Sequence, residues 1–214
     1  MLSEFKFFIK SHCDFKMHTC TLIALLVALM IIPCILFMPE KYGYENGLLE
    51  NLQMLTLLAG FIFALKSKIN KKFFYLTAMV IVILAIREVN CGRTIFFAIP
   101  GTINEFYTWK QIKYGWLAHP IYGIYIAYVV IYFLRNKLFI NLWELFSKTK
   151  LPIWNIGLML IGIRLGLYAE NTLHNMVFEE ISELLFYVSL VGIIYLYAFK
   201  KEFRLKEEVL EKSN

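Results

Sequence analysis

Apolar runs of about twenty residues recur six times along this chain, separated by short polar stretches. The runs cover 20–38, 48–65, 73–90, 114–134, 152–170 and 177–199. A hydrocarbon core about 30 Å thick is crossed by roughly 20 residues of helix. Backbone groups cannot go unpaired in lipid, so each run is predicted to be helical. The expected fold is therefore all-α: a single polytopic bundle of six transmembrane helices. It is flanked by polar tails at 1–19 and 200–214. The first run is too long for a signal-peptide core and ends in Met38-Pro39-Glu40 with no small-residue cleavage pattern. It reads as an uncleaved first helix.

Two further stretches are aromatic and amphipathic rather than fully apolar. Residues 92–113 carry Phe96, Phe97, Phe106, Tyr107 and Trp109, which suits a short helix on or dipping into the outer surface. Residues 138–148 suit a helix on the inner surface. On the fourth run, Tyr122, Tyr125, Tyr128 and Tyr132 form a stripe that reads as helix packing. Gly162 and Gly166 on the fifth form a small-xxx-small packing pair.

Charge placement orients the bundle. Sixteen Lys and Arg lie in the two tails and in the second and fourth connections, against four in the alternate connections. This positive-inside bias places both termini in the cytoplasm. The net charge of +6 is thus a topology signal at the ends of apolar runs rather than a nucleic-acid signature. A composition that is 59% hydrophobic agrees with lipid as the solvent. The expected location is a cell membrane, the bacterial cytoplasmic membrane. Among the four cysteines, Cys34 and Cys91 fall near the outer face, where two separate packed thiols are expected rather than a disulfide.

The costly polar residues gather at one depth. Glu50, Asn51 and Gln53 open the second run; Arg87, Glu88 and Asn90 close the third; His119 opens the fourth. Arg164, Glu170, Asn171 and His174 close the fifth, and Glu179, Glu180 and Glu183 open the sixth. Intramembrane ionisable groups are expensive and mark functional sites. Glu50 with Gln53, and Glu180 with Glu183, are three apart and share a helical face. Arg164 lies about 9 Å inside Glu170, so an internal partner is expected for it. Six carboxylates against Arg87, Arg93 and Arg164 leave a surplus of negative charge that requires protons or a bound cation.

These positions support an intramembrane enzyme acting in the outer leaflet on a lipid or lipid-linked substrate. Its expected catalytic residues are Glu50, Glu180 and Glu183. Arg87, Arg93 and Arg164 would hold a phosphate or carboxylate, and His119 and His174 a divalent metal such as zinc. A transporter or channel, and a non-catalytic membrane subunit or sensor, are the rival expectations. Oligomerisation is compatible with each.

Two partial likenesses accompany this reading. The stretch Arg87-Glu88-Val89-Asn90-Cys91-Gly92-Arg93 resembles a motif of uncharacterised bacterial membrane proteins, to which no chemistry attaches. Cys91, Arg164 and His174 follow the chain order of the exosortases. The Ser expected after the Cys is absent and the Arg–His spacing is short, so exosortase chemistry is not inferred.

Overall fold

The computed structural model describes residues 12–203, so the outer parts of both expected tails lie outside the described residues. Eight α-helices carry the fold: α1 Thr19–Phe37, α2 Leu48–Lys66, α3 Lys71–Glu88, α4 Arg93–Phe96, α5 Ala118–Arg135, α6 Leu138–Lys148, α7 Ile153–Tyr168 and α8 Met176–Phe199. Five helical segments are long and apolar enough to cross a bilayer. A sixth qualifies when α3 is taken with its continuation Asn90–Phe96, which bends away by 57°.

Local chemistry fixes several boundaries. Asn70 adopts a left-handed conformation and accepts a hydrogen bond from Phe73 N at 3.4 Å, starting α3. Asn175 accepts from Phe178 N at 2.9 Å and starts α8. Both are side-chain N-caps that satisfy otherwise unpaired amides. Pro120 falls in the first turn of α5, where a missing N–H costs nothing.

Helix α8 is the hub. In its membrane-crossing window 67% of the residues are buried, against 6% for the segment containing α5. Helices α7, α1 and α2 pack directly on α8, and α3 packs on α2. Glycines allow the close approaches. A Cβ at Gly162 would stand 2.7 Å from Phe186 N, and one at Gly60 would stand 2.7 Å from Val191 Cγ2.

Helix α5 leans on α3 through its tyrosine stripe. Tyr122 donates to Ile83 O at 3.2 Å, Tyr125 to Met79 O at 3.3 Å and Tyr132 to Lys72 O at 3.5 Å. The stripe expected to pack thus also hydrogen-bonds to the neighbouring backbone.

Polar pairs stitch the core. Asn155 of α7 is 0% exposed and its Oδ1 accepts a hydrogen bond from Thr21 Oγ1 of α1 at 2.5 Å. An interhelical bond of this kind contributes about 0.5–1.5 kcal/mol in a membrane protein. Replacing Thr21 with valine keeps the shape and removes the donor. Thermal unfolding in detergent should then show a loss of about 1 kcal/mol.

The two ends of the bundle are chemically distinct. At one end, strand β1 (Cys13–Asp14) pairs in parallel with β2 (Leu151–Pro152), and Lys16 Nζ lies 3.5 Å from Glu202. Phe203 and Ile69 are buried in the same cluster there. The described parts of the four regions rich in Lys and Arg therefore meet at this end. Burial alone would raise the carboxyl pKa of Asp14. The hydrogen bonds from His18 and from Lys16 N more than offset it and hold that carboxyl below the usual value.

At the other end the alternate connections meet. Glu45 N donates to Asn104 Oδ1 at 3.0 Å, Asn46 Nδ2 to Thr94 O at 2.5 Å, and Gly43 lies against Met176 and Val177.

Two expectations need adjusting. Residues 92–113 form only the single turn α4, followed by an irregular loop closed by the bridge Ala98–Phe106. Pro100, Gly101 at φ 85° and Asn104 at φ 58° break any longer helix there. The fifth run leaves α-geometry at Tyr168 and continues as a π-turn, Ala169–Leu173, ending at His174 with φ 50°. The helix expected over 138–148 is present as α6, and all four cysteines are free.

Candidate functional site: an acidic cleft

The cleft begins with the turn ahead of α2. Asn46 is left-handed, Gly47 starts the helix, and the backbone N–H of Asn46 donates to the buried Glu50 carboxylate. One turn on, Gln53 is 0% exposed, and its Nε2 donates to Glu180 O at 2.9 Å and to Glu180 Oε2 at 2.8 Å. The i,i+3 spacing read in the sequence thus aims both side chains of α2 at α8.

From α3, the Arg87 guanidinium reaches Glu183 Oε1 at 2.7 Å and Glu88 Oε1 at 3.1 Å. The buried Tyr187 hydroxyl also donates to Glu88 Oε1. Glu183 and Tyr187 stand one turn apart on α8, so Glu183, Arg87, Glu88 and Tyr187 form a continuous polar chain between α3 and α8. Arg87 is over half exposed, whereas Glu88 is nearly buried.

Glu50, Arg87, Glu88, Glu180 and Glu183 line a cavity of about 530 Å³ between α3 and α7, with α8 as its floor. Seven glutamates border it: Glu45, Glu50, Glu88, Glu170, Glu179, Glu180 and Glu183. Arg87 is the single cationic side chain in its wall. Toward the membrane interior the wall turns apolar, with Leu84, Ile163 and Phe186. Gly162 and Gly166 open space on the α7 side.

No family model matches this chain, and neither a curated protein nor a solved structure does. The reading of the cleft therefore rests on its own residues.

Of the residues singled out from sequence, Glu50, Glu180, Glu183 and Arg87 share the cavity. Arg93 is half-buried beside it, acts electrostatically on Glu45, and leaves its Nε without a partner among the described residues. Arg164 is exposed and outside the cavity wall, so the internal partner expected for it is not found among the described residues. The reason is rotational. Arg164 lies two residues from both Gly162 and Gly166, about 200° around α7 from the face that meets α8.

The expected histidine ligands are also displaced. His119 is exposed with its ring 5.6 Å from that of Trp109, and His174 is exposed at the end of the π-turn. Neither borders the cavity. Among the described residues, the metal-ligand types whose donor atoms fall within 4.8 Å of one another are Asp14, His18 and Glu202, at the opposite end.

Sequence reasoning passed over Glu45 and Tyr187. Tyr187 was reachable from its i+4 spacing to Glu183. Glu45 lies in a turn, where no periodicity points.

Proposed function

We propose that this is a six-span integral membrane protein with cytoplasmic termini whose outer cleft holds a divalent cation on carboxylate oxygens. Through that cation it acts as an intramembrane enzyme on a lipid or lipid-linked substrate. The observation that carries this reading is seven carboxylates facing one guanidinium in a single cavity. Surplus negative charge in a low-dielectric site needs protons or a counter-charge, and a bound cation supplies the latter. No three of the cleft carboxylates converge within 4.8 Å among the described residues, so an ion would be held by one or two of them together with water, and oxygen donors of this kind favour hard ions such as Mg²⁺, Ca²⁺ or Mn²⁺ over zinc. The cation and Arg87 together would hold an anionic headgroup, and a remaining Glu would move protons.

Manganese titration of the detergent-purified chain, followed by electron paramagnetic resonance, tests it. An Asp14→Asn background silences the group at the other end. One saturable site is expected, weakened at least about tenfold by Glu180→Gln with Glu183→Gln and unchanged by His119→Ala or His174→Ala. No saturable binding at millimolar Mn²⁺ would remove the reading.

A second reading, a non-catalytic membrane subunit, is favoured by one observation: only 6% of the residues in the membrane-crossing window of α5 are buried. Co-purification of a stoichiometric partner that protects α5 from lipid-phase labelling would favour it. The apolar inner wall of the cleft argues against a pore through a single copy.

A further inference from the structure

Opposite the acidic cleft, on the other flank of α8, α1 and α2 stand apart and leave a groove of about 710 Å³. Val188, Val191 and Tyr195 of α8 form its floor; Ile23, Leu52 and Phe63 stand in its walls. From Leu52 to Phe63, α2 rises about 16 Å at roughly 1.5 Å per residue. Half of a hydrocarbon core about 30 Å thick is about 15 Å. The groove therefore has the length of one acyl chain, running from the end where the termini meet past the midpoint of α2 toward Glu50.

Its mouth lies at the end where the termini meet, and there the chemistry changes sign. The first residues of α1, Thr19 and Cys20, border the mouth together with His18 and Lys200. His18 precedes α1 without offering a side-chain cap, and the first turn of α1 holds no acidic residue. The positive pole of this 19-residue helix thus has no acidic partner within the helix itself; the nearest carboxylates, Asp14 and Glu202, are gathered on His18 just ahead of it. Lys200 is exposed, has no carboxylate partner among the described residues, and borders the groove together with Cys20. Lys16, close by, is by contrast engaged by Glu202.

The geometry points to a binding site for one anionic phospholipid, its phosphate against the α1 N-terminus and Lys200 and an acyl chain laid along α8. A helix N-terminus and a lysine are both suited to phosphate. A zwitterionic lipid fits the same apolar groove but brings a second cation next to Lys200. The site is separate from the acidic cleft, and its test does not depend on cation binding there.

Native mass spectrometry of the full chain, loaded from mixed micelles with phosphatidylglycerol or phosphatidylcholine of identical acyl chains, decides the matter. Phosphatidylglycerol is expected to be retained at least about tenfold better. Lys200→Gln should bring it down to the phosphatidylcholine level. Ala59→Phe should lower retention of both lipids by filling the groove, and Leu55→Trp is the alternative blocker if that variant fails to fold. Lipid-free thermal unfolding certifies each variant. Equal retention of the two lipids overturns the proposal. So does a preference that survives Lys200→Gln, or lipid counts indifferent to both blockers. Complete displacement by millimolar glycerol phosphate would also overturn it, marking an anion site with no need of the chain.

Discussion

Gly162→Leu will separate α7 from α8 and abolish the native fold in detergent. A Cβ at this position would sit 2.7 Å from Phe186 N, 2.9 Å from Ser182 O and 3.1 Å from Phe186 Cα. All three are backbone atoms of a helix packed on several sides, so no side chain can rotate away. The helices must part, opening voids along an interface that includes the wall of the acidic cleft. Overpacking typically costs about 1–3 kcal/mol, and a branched side chain against backbone lies at or beyond the top of that range. Gly162→Ala should cost about 2 kcal/mol. Gly157→Ala is the internal control, because nothing lies within 4 Å of its would-be Cβ on the same helix. It should be neutral or gain up to about 1 kcal/mol from helix propensity. Thermal unfolding and size-exclusion profiles of the three variants give the comparison. If Gly162→Leu matches wild type, the close approach of α7 to α8 is wrong.

The second large effect is expected at Arg87. Arg87→Ala leaves Glu88 and Glu183 without their shared cation, in a cavity already lined by seven glutamates. Removing one partner of a buried pair costs about 3–5 kcal/mol. The Arg87 side chain is 55% exposed, so solvent screening reduces the expected loss to about 2 kcal/mol. Arg87→Lys keeps the charge but cannot fork between two carboxylates, and should fall between alanine and wild type. Adding Glu183→Gln to Arg87→Ala should recover part of the loss, since one unpaired carboxylate disappears. Millimolar Mn²⁺ should do likewise if a cation enters the cleft. A variant that unfolds within about 0.5 kcal/mol of wild type, with or without the ion, would show that the Glu183–Arg87–Glu88 chain is decorative.

Much of the architecture was readable from the chain because lipid imposes strong rules. Span lengths gave the long helices within a few residues, and the Lys and Arg distribution sorted the connections into the two groups that meet at opposite ends. Within a helix, three-residue spacing identified Glu50 with Gln53 and Glu180 with Glu183 as pairs facing one way. What periodicity does not give is the rotation of one helix against another. Depth alone grouped Arg164 and the histidines with the glutamates, while rotation and loop geometry set them apart. The Gly162–Gly166 pair held the correction, because a packing face fixes its own opposite face, and Arg164 lies there. His174 was lost for a different reason: a π-turn and a left-handed residue take it off the helical path.

Helix α8, which touches α1, α2 and α7 at once, is also the one the ribosome makes after the other seven. Until it arrives, α1 and α2 have little to hold them side by side, and Gln53 is without its partner Glu180. Most of the contacts that gather α1, α2 and α7 can form only once α8 has been made.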